Sequence, residues 1–457
     1  MPPTLAARLA PALEQLADGA LARRPFVLRL WDDSELPATA APAPAAGVPP
    51  PPRLRVRDPR ALTTIARHPD QLGLGRAWVS GALELDGDVE AALAACESLR
   101  AARLSWRDRL RALRLARQLG VPLRPLAPPA AEARLHGRRH SLRRDRVAVR
   151  HHYDVPTSFY RLVLGPSLVY SCACFADPNE SLEAAQERKL ERVCRKLGLE
   201  PGQRLLDVGC GWGSLLLHAA RRHGVRALGI TLSESQAVEA RARAAAAGLS
   251  DRVEVRVADY RELREAPFDA VASIGMVEHV GVDLLETYAR RLAALVRPGG
   301  RILNHGIVRL RPAPRSDRTF IARYVFPDGE LHPLSAVQTA FERVGLEVRD
   351  AEGLREHYPL TLRAWSRNLD HNRAAAVEQA GAERERVWRL YMAGAALAFE
   401  RGEIGVFQTL AVRPGAPHRL PLLRDQLTTG AAAPPPARGA RRAPRRRAQS
   451  SPARPPR

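Results

Sequence analysis

Residues 204–214, RLLDVGCGWGS, place a short apolar run directly before three glycines that are spaced two residues apart. Leu205, Leu206 and Val208 are typical of a buried strand, and the mostly apolar run that follows is typical of a helix. The glycines between them permit a tight turn whose backbone amides can approach a nucleotide closely. This stretch therefore predicts a nucleotide-binding strand–turn–helix unit, which favours an α/β fold.

From residue 182 onward, predicted helices and strands alternate regularly. Helices are predicted at 182–197, 213–223, 233–247 and 282–296, and strands at 204–208, 225–230, 252–257, 268–274 and 300–308. A final pair of strands, 345–350 and 404–412, flanks a predicted long helix at 373–400. Alternation at this spacing predicts an α/β, doubly wound and mostly parallel sheet.

The remaining sequence divides the chain into four parts. They are a small α+β unit at 1–102 with a Pro/Ala-rich loop at 37–52, a basic helix and linker at 103–150, the α/β domain at 151–412, and a Pro/Ala/Arg-rich tail at 413–457. Within the first part, a helix is predicted from Leu5 to Leu21. The tail is predicted to be disordered because its composition cannot form an apolar core.

The basic segment contains a helical pattern, SWRDRLRALRLARQLG, with Trp106, Leu110, Leu113 and Leu115 assigned to one side and arginines elsewhere. One interpretation is a solvated helix followed by a linker. The other is a basic surface that meets lipid phosphates, in the manner of interfacial amphipathic helices. The sequence leaves both open.

The chain of 457 residues carries a net charge of +22, almost wholly from arginine. Such a surface attracts either nucleic acid or an anionic membrane. The arginines concentrate in the linker and tail, and the fourth strand end reads GMVEHVG, unlike the Asn/Asp-Pro-Pro-aromatic motif of nucleobase methylation. A nucleic-acid methyltransferase is therefore the less favoured hypothesis, and no nucleic-acid partner is expected.

The five cysteines are Cys96, Cys172, Cys174, Cys194 and Cys210. They show no CxxC pair, so free thiols in a reducing cytosol are expected. Cys172 and Cys174 do not complete a zinc set, and no metal is expected. Since neither a secretory signal nor an apolar run of membrane-spanning length is visible, a cytoplasmic protein is predicted.

The polar residues at the predicted strand ends indicate which nucleotide binds. In an open parallel sheet, ligands lie at the carboxyl ends of strands near the topological switch. The DxGxGxG spacing and the VRPGG before the fifth strand favour S-adenosylmethionine over a nicotinamide. The residues predicted at this cleft are Asp207, Gly209, Gly211, Gly213, Thr231, Gln236, Tyr260 and Arg261.

Two further polar residues point to catalysis. Glu278 follows the fourth predicted strand, and His305 lies within the fifth. A histidine flanked by apolar residues is more often a satisfied core group. A glutamate and a histidine on neighbouring strands beside a cofactor cleft instead favour a catalytic role.

Seven motifs occur together in a specific order. They are HHYDVPTSFY, LVYSCACF, LLDVGCGWGS, GITLSESQ, GMVEHVG, LNHGI and RYVFPDGELHP. Together they resemble the cyclopropane-fatty-acyl-phospholipid synthase family, which includes mycolic-acid cyclopropane synthases and fatty-acid C-methyltransferases. The resemblance covers residues 150–412 and implies a class I S-adenosylmethionine-dependent methyltransferase fold with a seven-stranded sheet. The N-terminal unit is similar to the lipid-binding domain of long family members, with weaker motifs.

The resemblance implies methyl transfer from S-adenosylmethionine to a cis double bond of a phospholipid acyl chain, with bicarbonate as the base that closes a cyclopropane ring. The bicarbonate cage would consist of the Cys172 backbone, Glu278, His305, the Ile307 amide and Tyr358. Tyr170 and Ser171 would contact the cofactor, together with the strand-end residues above. The family usually has a small-Asn-Asp triplet where this chain has Pro156-Thr157-Ser158, so this chain departs from the family pattern in the segment that closes over the cofactor.

Other outcomes remain open at this point. The same fold and cofactor would serve a fatty-acyl C-methyltransferase whose product is a methyl- or methylene-branched chain, and a non-catalytic lipid-binding protein is a further alternative. The expected partners are phospholipid acyl chains at an anionic membrane surface, with peripheral association at the inner membrane face. A homodimer is compatible with the sequence.

Overall fold

The computed structural model describes residues 3–40, 50–99, 105–153, 155–312 and 316–429. The strands are β1 (Val27–Arg29), β2 (Glu35–Leu36), β3 (Arg53–Val56), β4 (Leu83–Asp86), β5 (Arg204–Val208), β6 (Arg226–Thr231), β7 (Val253–Val257), β8 (Phe268–Ile274), β9 (Val296–Arg309), β10 (Glu347–Gly353) and β11 (Ile404–Val412). The first helices are α1 (Leu5–Gln15), α2 (Arg60–Arg67), α3 (Gln71–Val79), α4 (Val89–Ala95), α5 (Trp106–Gln118), α6 (Leu142–Tyr153), α7 (Thr157–Leu164) and α8 (Leu182–Leu197). They are followed by α9 (Ser214–His223), α10 (Glu234–Ala246), α11 (Leu285–Leu295), α12 (Leu334–Arg343), α13 (His357–His371), α14 (Arg373–Glu400) and α15 (Gln426–Thr429). None of the helices in these ranges is long and apolar enough to cross a bilayer.

The larger sheet has seven strands in the order β10-β11-β9-β8-β5-β6-β7. The five strands from β9 to β7 run parallel, and β11 is antiparallel to both of its neighbours. The predicted α/β class and the mostly parallel sheet are confirmed. From β5 the chain adds β6 and β7 on one side, and it then crosses back to add β8 on the other side of β5. The topological switch therefore lies beside β5. A ligand cleft is expected there.

The smaller sheet has the order β2-β1-β3-β4 and lies in the N-terminal unit, which confirms its predicted α+β character. This unit is joined to the larger one by partly buried contacts. The indole Nε1 of Trp78, in α3, donates to the backbone oxygen of Arg386, in α14, at 2.8 Å. The Arg363 Nε atom donates to Glu90 at 2.9 Å. Most of the predicted Pro/Ala-rich loop, residues 41–49, lies outside the described residues.

Two predicted helices differ from the observed ones. The helix that begins at Leu5 ends at Gln15 and continues as a 3₁₀ helix over Leu16–Ala22. The long predicted helix at 373–400 is interrupted at Gly381, whose φ of 81° and ψ of 157° break the helical geometry. Only glycine adopts such a conformation readily. Helix α13, which carries Tyr358, precedes it and was not predicted.

The first part of the predicted disordered tail is folded. The Arg301 guanidinium donates to the backbone oxygens of His418 at 3.0 Å and Arg419 at 2.9 Å. Arg424 pairs with Asp350 at 2.6 Å. The prediction of disorder is therefore wrong for residues 413–429, because arginines make specific pairs that composition does not reveal. Residues 430–457 lie outside the described residues.

Candidate active site

The glycine turn after β5 has the geometry that its sequence predicts. Gly209, Gly211 and Gly213 have φ values of 84°, 52° and 81°. A Cβ atom on Gly209 would lie 3.1 Å from the Met276 side chain, and one on Gly213 would lie 3.1 Å from Ala240. A Cβ atom on Gly211 would meet nothing within 4 Å. Two glycines therefore permit close packing, and the middle one borders open space.

That open space is a cleft at the carboxyl ends of β5, β6 and β8. Of the residues predicted to bind the cofactor, those lining it are Tyr170, Ser171, Asp207, Gly209, Gly211, Thr231, Gln236, Tyr260 and Arg261. Gly213 instead packs against α10. The structure thus brings together predicted residues from four separate chain segments, as expected for the edge of a parallel sheet.

A buried lysine and a buried aspartate lie at the base of the cleft. Lys189, in α8, donates to Ser171 Oγ at 2.9 Å, and burial lowers the pKa of its ammonium group to about 8. Burial raises the pKa of Asp207 to about 7, although the positive charge of Lys189 opposes this shift. Asp207 Oδ1 has no hydrogen-bond partner among the described residues. Sequence reasoning missed Lys189, for which the only signal was a lysine on the apolar face of a helix.

The end of β6 supplies a small hydrogen-bonded group. The Thr231 hydroxyl donates to Gln236 Oε1 at 2.7 Å, and the Ser233 amide donates to Thr231 Oγ1 at 3.1 Å. This arrangement fixes both predicted cofactor residues at the cleft wall. Their contact with a cofactor stays a prediction.

After β7, Arg261 forms ion pairs instead of projecting freely into the cleft. Its Nη2 atom lies 2.7 Å from Asp259 and 2.8 Å from Asp145, in α6. These pairs attach the basic connector to the α/β domain. The neighbouring Tyr260 ring packs edge-on against Tyr288 at 5.6 Å between centroids, where it forms part of the cleft wall.

An aromatic cluster borders the cleft next to Tyr170. The Tyr170 ring lies 5.3 Å from Trp365 and 5.5 Å from Trp388, measured between centroids. Its hydroxyl donates to the Tyr391 hydroxyl at 3.2 Å, and His152 Nε2 lies 3.1 Å from the same Tyr170 oxygen. The sequence reading missed His152, Trp388 and Tyr391 because they come from distant segments. The cluster makes this side of the site predominantly aromatic.

Glu278 lies in a 3₁₀ turn after β8, and its side chain is held against β9. Its Oε1 atom accepts a hydrogen bond from the Ile307 amide at 2.8 Å. Its Oε2 atom is buried without a partner among the described residues, and burial raises the pKa of the carboxyl group to about 7. A Cβ atom on Gly306 would lie 2.3 Å from Val277, so this glycine allows the turn to approach the strand.

His305 is also buried with one free ring nitrogen. Gln408 Nε2 lies 3.2 Å from His305 Nδ1, and the two residues are paired across β9 and β11. If the amide donates, Nδ1 is the acceptor and Nε2 carries the proton. Nε2 has no partner within the described part of the chain. Burial lowers the pKa of His305 to about 3, which keeps the ring neutral.

Tyr358 and Cys172 are the two remaining residues of the predicted cage, and both are buried. Tyr358 stacks on Phe399 with centroids 4.4 Å apart, and its phenol pKa is raised by burial and by neighbours that include Cys172 and Glu278. The fully buried Cys172 thiol points toward the Leu354 carbonyl oxygen at 3.8 Å. Burial raises the pKa of the Cys172 thiol, which favours its neutral form.

The residues fit a small anion such as bicarbonate in two respects. Glu278 Oε2 is an unpaired acceptor when ionised, and His305 Nε2 is an unpaired donor. Buried polar atoms without partners are rare and often mark a ligand position. The Ile307 amide differs from the expectation, because it orients Glu278 in this structure. Its donation to bicarbonate stays a prediction.

The sheet order, the glycine turn after the central strand and the cleft at the carboxyl ends define the class, which is that of the S-adenosylmethionine-dependent methyltransferases. The chain belongs to the mycolic acid cyclopropane synthetase family, whose sequence profile matches residues 140–409. Family membership thereby confirms the resemblance read from the seven motifs.

Three similar proteins support the assignment of the chain to this class and to this family. A "Probable fatty acid methyltransferase" of Pseudomonas putida is 40% identical over 428 residues, which cover 92% of this chain and 99% of that protein. Another, of Mycobacterium tuberculosis, is 44% identical over 384 residues, 81% of this chain and 89% of that protein. A solved mycolic acid cyclopropane synthase, complexed with SAH and CTAB, aligns with a TM-score of 0.56 and 32% identity, covering 59% of this chain and 98% of that one.

Proposed function

We propose that this protein uses S-adenosylmethionine to methylate the cis double bond of an unsaturated phospholipid acyl chain and closes a cyclopropane ring with bicarbonate as the base. The observation that carries the proposal is the pair of unpaired buried atoms, Glu278 Oε2 and His305 Nε2. Met276 and His279, which lie close to Glu278 in the chain, line the cofactor cleft. An acceptor and a neutral donor in a buried site can hold and orient a bicarbonate that receives a proton.

The reaction determines what the site has to supply. The π electrons of the alkene form a bond to the methyl carbon as the S–CH₃ bond breaks and its electron pair stays on sulfur. The other alkene carbon is left positive. Loss of a proton from the transferred methyl group then provides the electron pair that closes the ring. The acceptor of that proton would be bicarbonate, when it is bound.

The protein's own residues would serve this reaction in three ways: they would stabilise the positive charge, orient the bicarbonate hydroxyl and hold a second bicarbonate oxygen. The rings of Tyr170, Trp365 and Trp388 would stabilise a developing positive charge through their faces and exclude water that would trap it. Glu278, held by the Ile307 amide, would accept the hydrogen bond of the bicarbonate hydroxyl. The neutral His305 ring would donate to a second oxygen without itself removing the proton.

A fatty-acyl C-methyltransferase that forms a methyl- or methylene-branched chain is the second candidate. It is favoured by the higher identity, 40% and 44%, to relatives described as fatty acid methyltransferases than to the cyclopropane synthases, at 33%. Both reactions share the transfer step. For the methylene product, a hydride shifts from the methylated carbon to the cationic carbon, and the transferred methyl group then loses a proton to form C=CH₂ instead of a ring. A saturated methyl branch would in addition require reduction of that double bond by a separate hydride donor.

The test is to incubate the full-length protein with methyl-labelled S-adenosylmethionine and vesicles of a cis-monounsaturated phospholipid, in buffer depleted of bicarbonate and then replenished. A labelled acyl chain that resists catalytic hydrogenation, formed only when bicarbonate is present, is expected. A labelled chain that takes up hydrogen would indicate the methylene product instead. Absence of label from the lipid would contradict both candidates.

We further propose that helix α5 docks the enzyme, as a cytoplasmic protein, on the anionic inner face of the membrane. Trp106 is 65% exposed and Leu110 is 44% exposed, although both are large and apolar. Of the four residues predicted to share one side, Leu115 instead packs toward the N-terminal core. Asp108, the acidic residue of the helix, is buried in a capping box with Ser105, so the outer face presents only cationic charges.

The arginines around this apolar stripe are exposed, namely Arg107, Arg109, Arg111, Arg114 and Arg117. Arg107 lies 5.4 Å from the centre of the Trp106 ring. A tryptophan and leucine surface surrounded by arginines matches the chemistry of an anionic bilayer interface, where the rings enter the acyl boundary and the guanidinium groups meet phosphates.

Replacing Trp106 and Leu110 by glutamine is expected to weaken binding to anionic phospholipid vesicles by about tenfold for each residue, because each loses its apolar burial. Vesicle co-sedimentation at fixed salt measures this. Val238→Gln is the matched control, since Val238 is an exposed apolar residue of α10 at 56%. Equal binding of the double variant and the control would exclude α5 as the docking surface, and preferential binding to RNA would exclude a lipid partner.

A further inference from the structure

Four metal-binding side chains meet between helices α8 and α9, outside the set of described residues that line the cofactor cleft. Glu191 and Cys194 come from α8, and His218 and His223 come from α9. The ligand atoms of Cys194, His218 and His223 all lie within 4.8 Å of one another. The two Nε2 atoms converge on one carboxylate oxygen, Glu191 Oε2, at 3.0 Å and 3.1 Å.

We propose that these four residues form a structural site for a divalent transition metal, with zinc as the preferred ion. Two imidazole nitrogens, one thiolate and one carboxylate are four donors of the kinds that zinc prefers, and structural zinc binds four such donors tetrahedrally. The thiolate and the carboxylate together balance the two positive charges of the ion. Because the protein would supply all four ligands, no position is left for a substrate, and the site is structural.

The four side chains are buried to different depths, which leaves a route by which an ion can enter from solvent. Cys194 is fully buried, whereas the side chains of His218, His223 and Glu191 retain exposures of 9%, 17% and 27%. The sulfur therefore lies at the base and the other three ligands lie toward the surface. An ion can reach the site through a small opening of these surface side chains without unfolding the helices.

A neighbouring residue orients the carboxylate. Arg195 Nε donates to Glu191 Oε1 at 2.7 Å, and the Arg195 guanidinium also donates to the backbone oxygen of Thr428 at 3.1 Å. Glu191 Oε1 is thus occupied, and Oε2 is directed to the two histidines. Partners of this kind orient metal ligands and increase their affinity.

The position of the cluster gives the metal a mechanical role. Helix α9 begins at Ser214, directly after the glycine turn, and ends at His223, nine residues further on and about 13.5 Å away at 1.5 Å per residue. Helix α8 carries Lys189, which contacts Ser171 at the cleft. An ion that binds both helices would fix the far end of the element whose near end forms the cofactor turn.

The sequence alone predicts no metal site, because its cysteines form no CxxC pair and Cys172 and Cys174 do not complete a zinc set. Two ligands on each helix, in the patterns E-x₂-C and H-x₄-H, are far apart in the chain, with Cys194 and His218 separated by 24 positions. Only the packing of α8 on α9 brings them together. The spacing of the two histidines does fall within the range seen in zinc sites.

The test uses full-length, untagged protein that has been dialysed against a chelator and then titrated with Co²⁺ and Zn²⁺. We expect one Co²⁺ per chain, with d–d bands of tetrahedral intensity and a thiolate charge-transfer band that Zn²⁺ abolishes. Zn²⁺ should also raise the melting temperature. Cys194→Ser should remove the charge-transfer band and weaken Zn²⁺ binding by about 100-fold or more.

His223→Gln provides a second variant in case the buried Cys194 substitution fails to fold, since His223 retains access to solvent. It should also weaken Zn²⁺ binding, and Cys96→Ser and His371→Gln serve as controls that should bind as the native protein does. If the native protein shows no thiolate–cobalt band, or if His223→Gln binds Zn²⁺ as tightly as the controls, the cluster is an ion pair only and the proposal is overturned. Because no readout depends on methyl transfer, this outcome is independent of the proposed function.

Discussion

Glu278→Gln is expected to lower the rate of product formation by about 1000-fold, because it misplaces the bicarbonate that removes the proton and a positioned base contributes about this much. The glutamine oxygen can still accept the Ile307 amide hydrogen bond that holds Glu278 Oε1 at 2.8 Å. Its NH₂ group then replaces Oε2 and presents a donor where the bicarbonate hydroxyl requires an acceptor. The variant should therefore fold and bind S-adenosylmethionine normally while product formation fails.

The control for this experiment is Asp283→Asn, which removes a carboxylate from the exposed turn that follows Glu278. Product formation is measured by mass spectrometry of the lipid, and cofactor affinity by calorimetry. Native-like product formation by Glu278→Gln would show that this carboxylate is not part of the catalytic group. A loss of cofactor affinity equal to the loss of rate would assign it to binding instead.

The same carboxylate predicts the pH dependence of the reaction. Burial raises the pKa of Glu278 to about 7 from the ordinary value of 4.5. Below that pH the group is protonated and cannot accept the hydrogen bond of bicarbonate, so activity should rise as the pH passes upward through about 7. In Glu278→Gln the residual activity should lack this step. A native profile that is flat between pH 6 and pH 8, about one unit on either side of the pKa, would contradict the assignment.

The central fold could be predicted from the sequence because its signals are local. The apolar run of β5 and the glycines after it specify the strand, the turn and the start of α9 within eleven residues. The alternation that follows specifies the parallel sheet. The errors arose where a distant segment or a single conformation decides the outcome, as at Gly381 and in the pairing of Arg301 with residues of the tail.

Side-chain contacts across the site could be predicted less well than the residues themselves. Glu278 and Ile307 were both identified from motifs, yet the hydrogen bond between them joins residues 29 positions apart and changes the role of the amide. Gln408 and Lys189 carried no motif, and only the register of β11 on β9 and the buried face of α8 place them. The assignment of Leu115 to the same side of α5 as Trp106 was wrong for a simpler reason. It follows Trp106 by nine residues, about two and a half turns, and so points the opposite way.

Gly211→Ala is expected to weaken the binding of S-adenosylmethionine by about 100-fold, which is typical of a misplacement of about 1 Å in a binding site. The φ of 52° at Gly211 lies in the left-handed region, where alanine costs about 1 kcal/mol of folding free energy. The added Cβ atom would meet no protein atom within 4 Å, so the free protein accommodates it. It would project into the space where the cofactor must approach the backbone, and calorimetric titration of the cofactor measures the loss.

Gly248→Ala separates the cost of backbone strain from the loss of a binding surface. Gly248 has a φ of 66°, and a Cβ atom there also meets nothing within 4 Å, but the residue is exposed after α10 and away from the cleft. Both variants should lose a similar small amount of stability in thermal unfolding, because the strain is the same. Only Gly211→Ala should lose cofactor affinity, since only its Cβ atom borders the cleft. If the two variants bound the cofactor equally well, the open space beside the glycine turn would not be where S-adenosylmethionine lies.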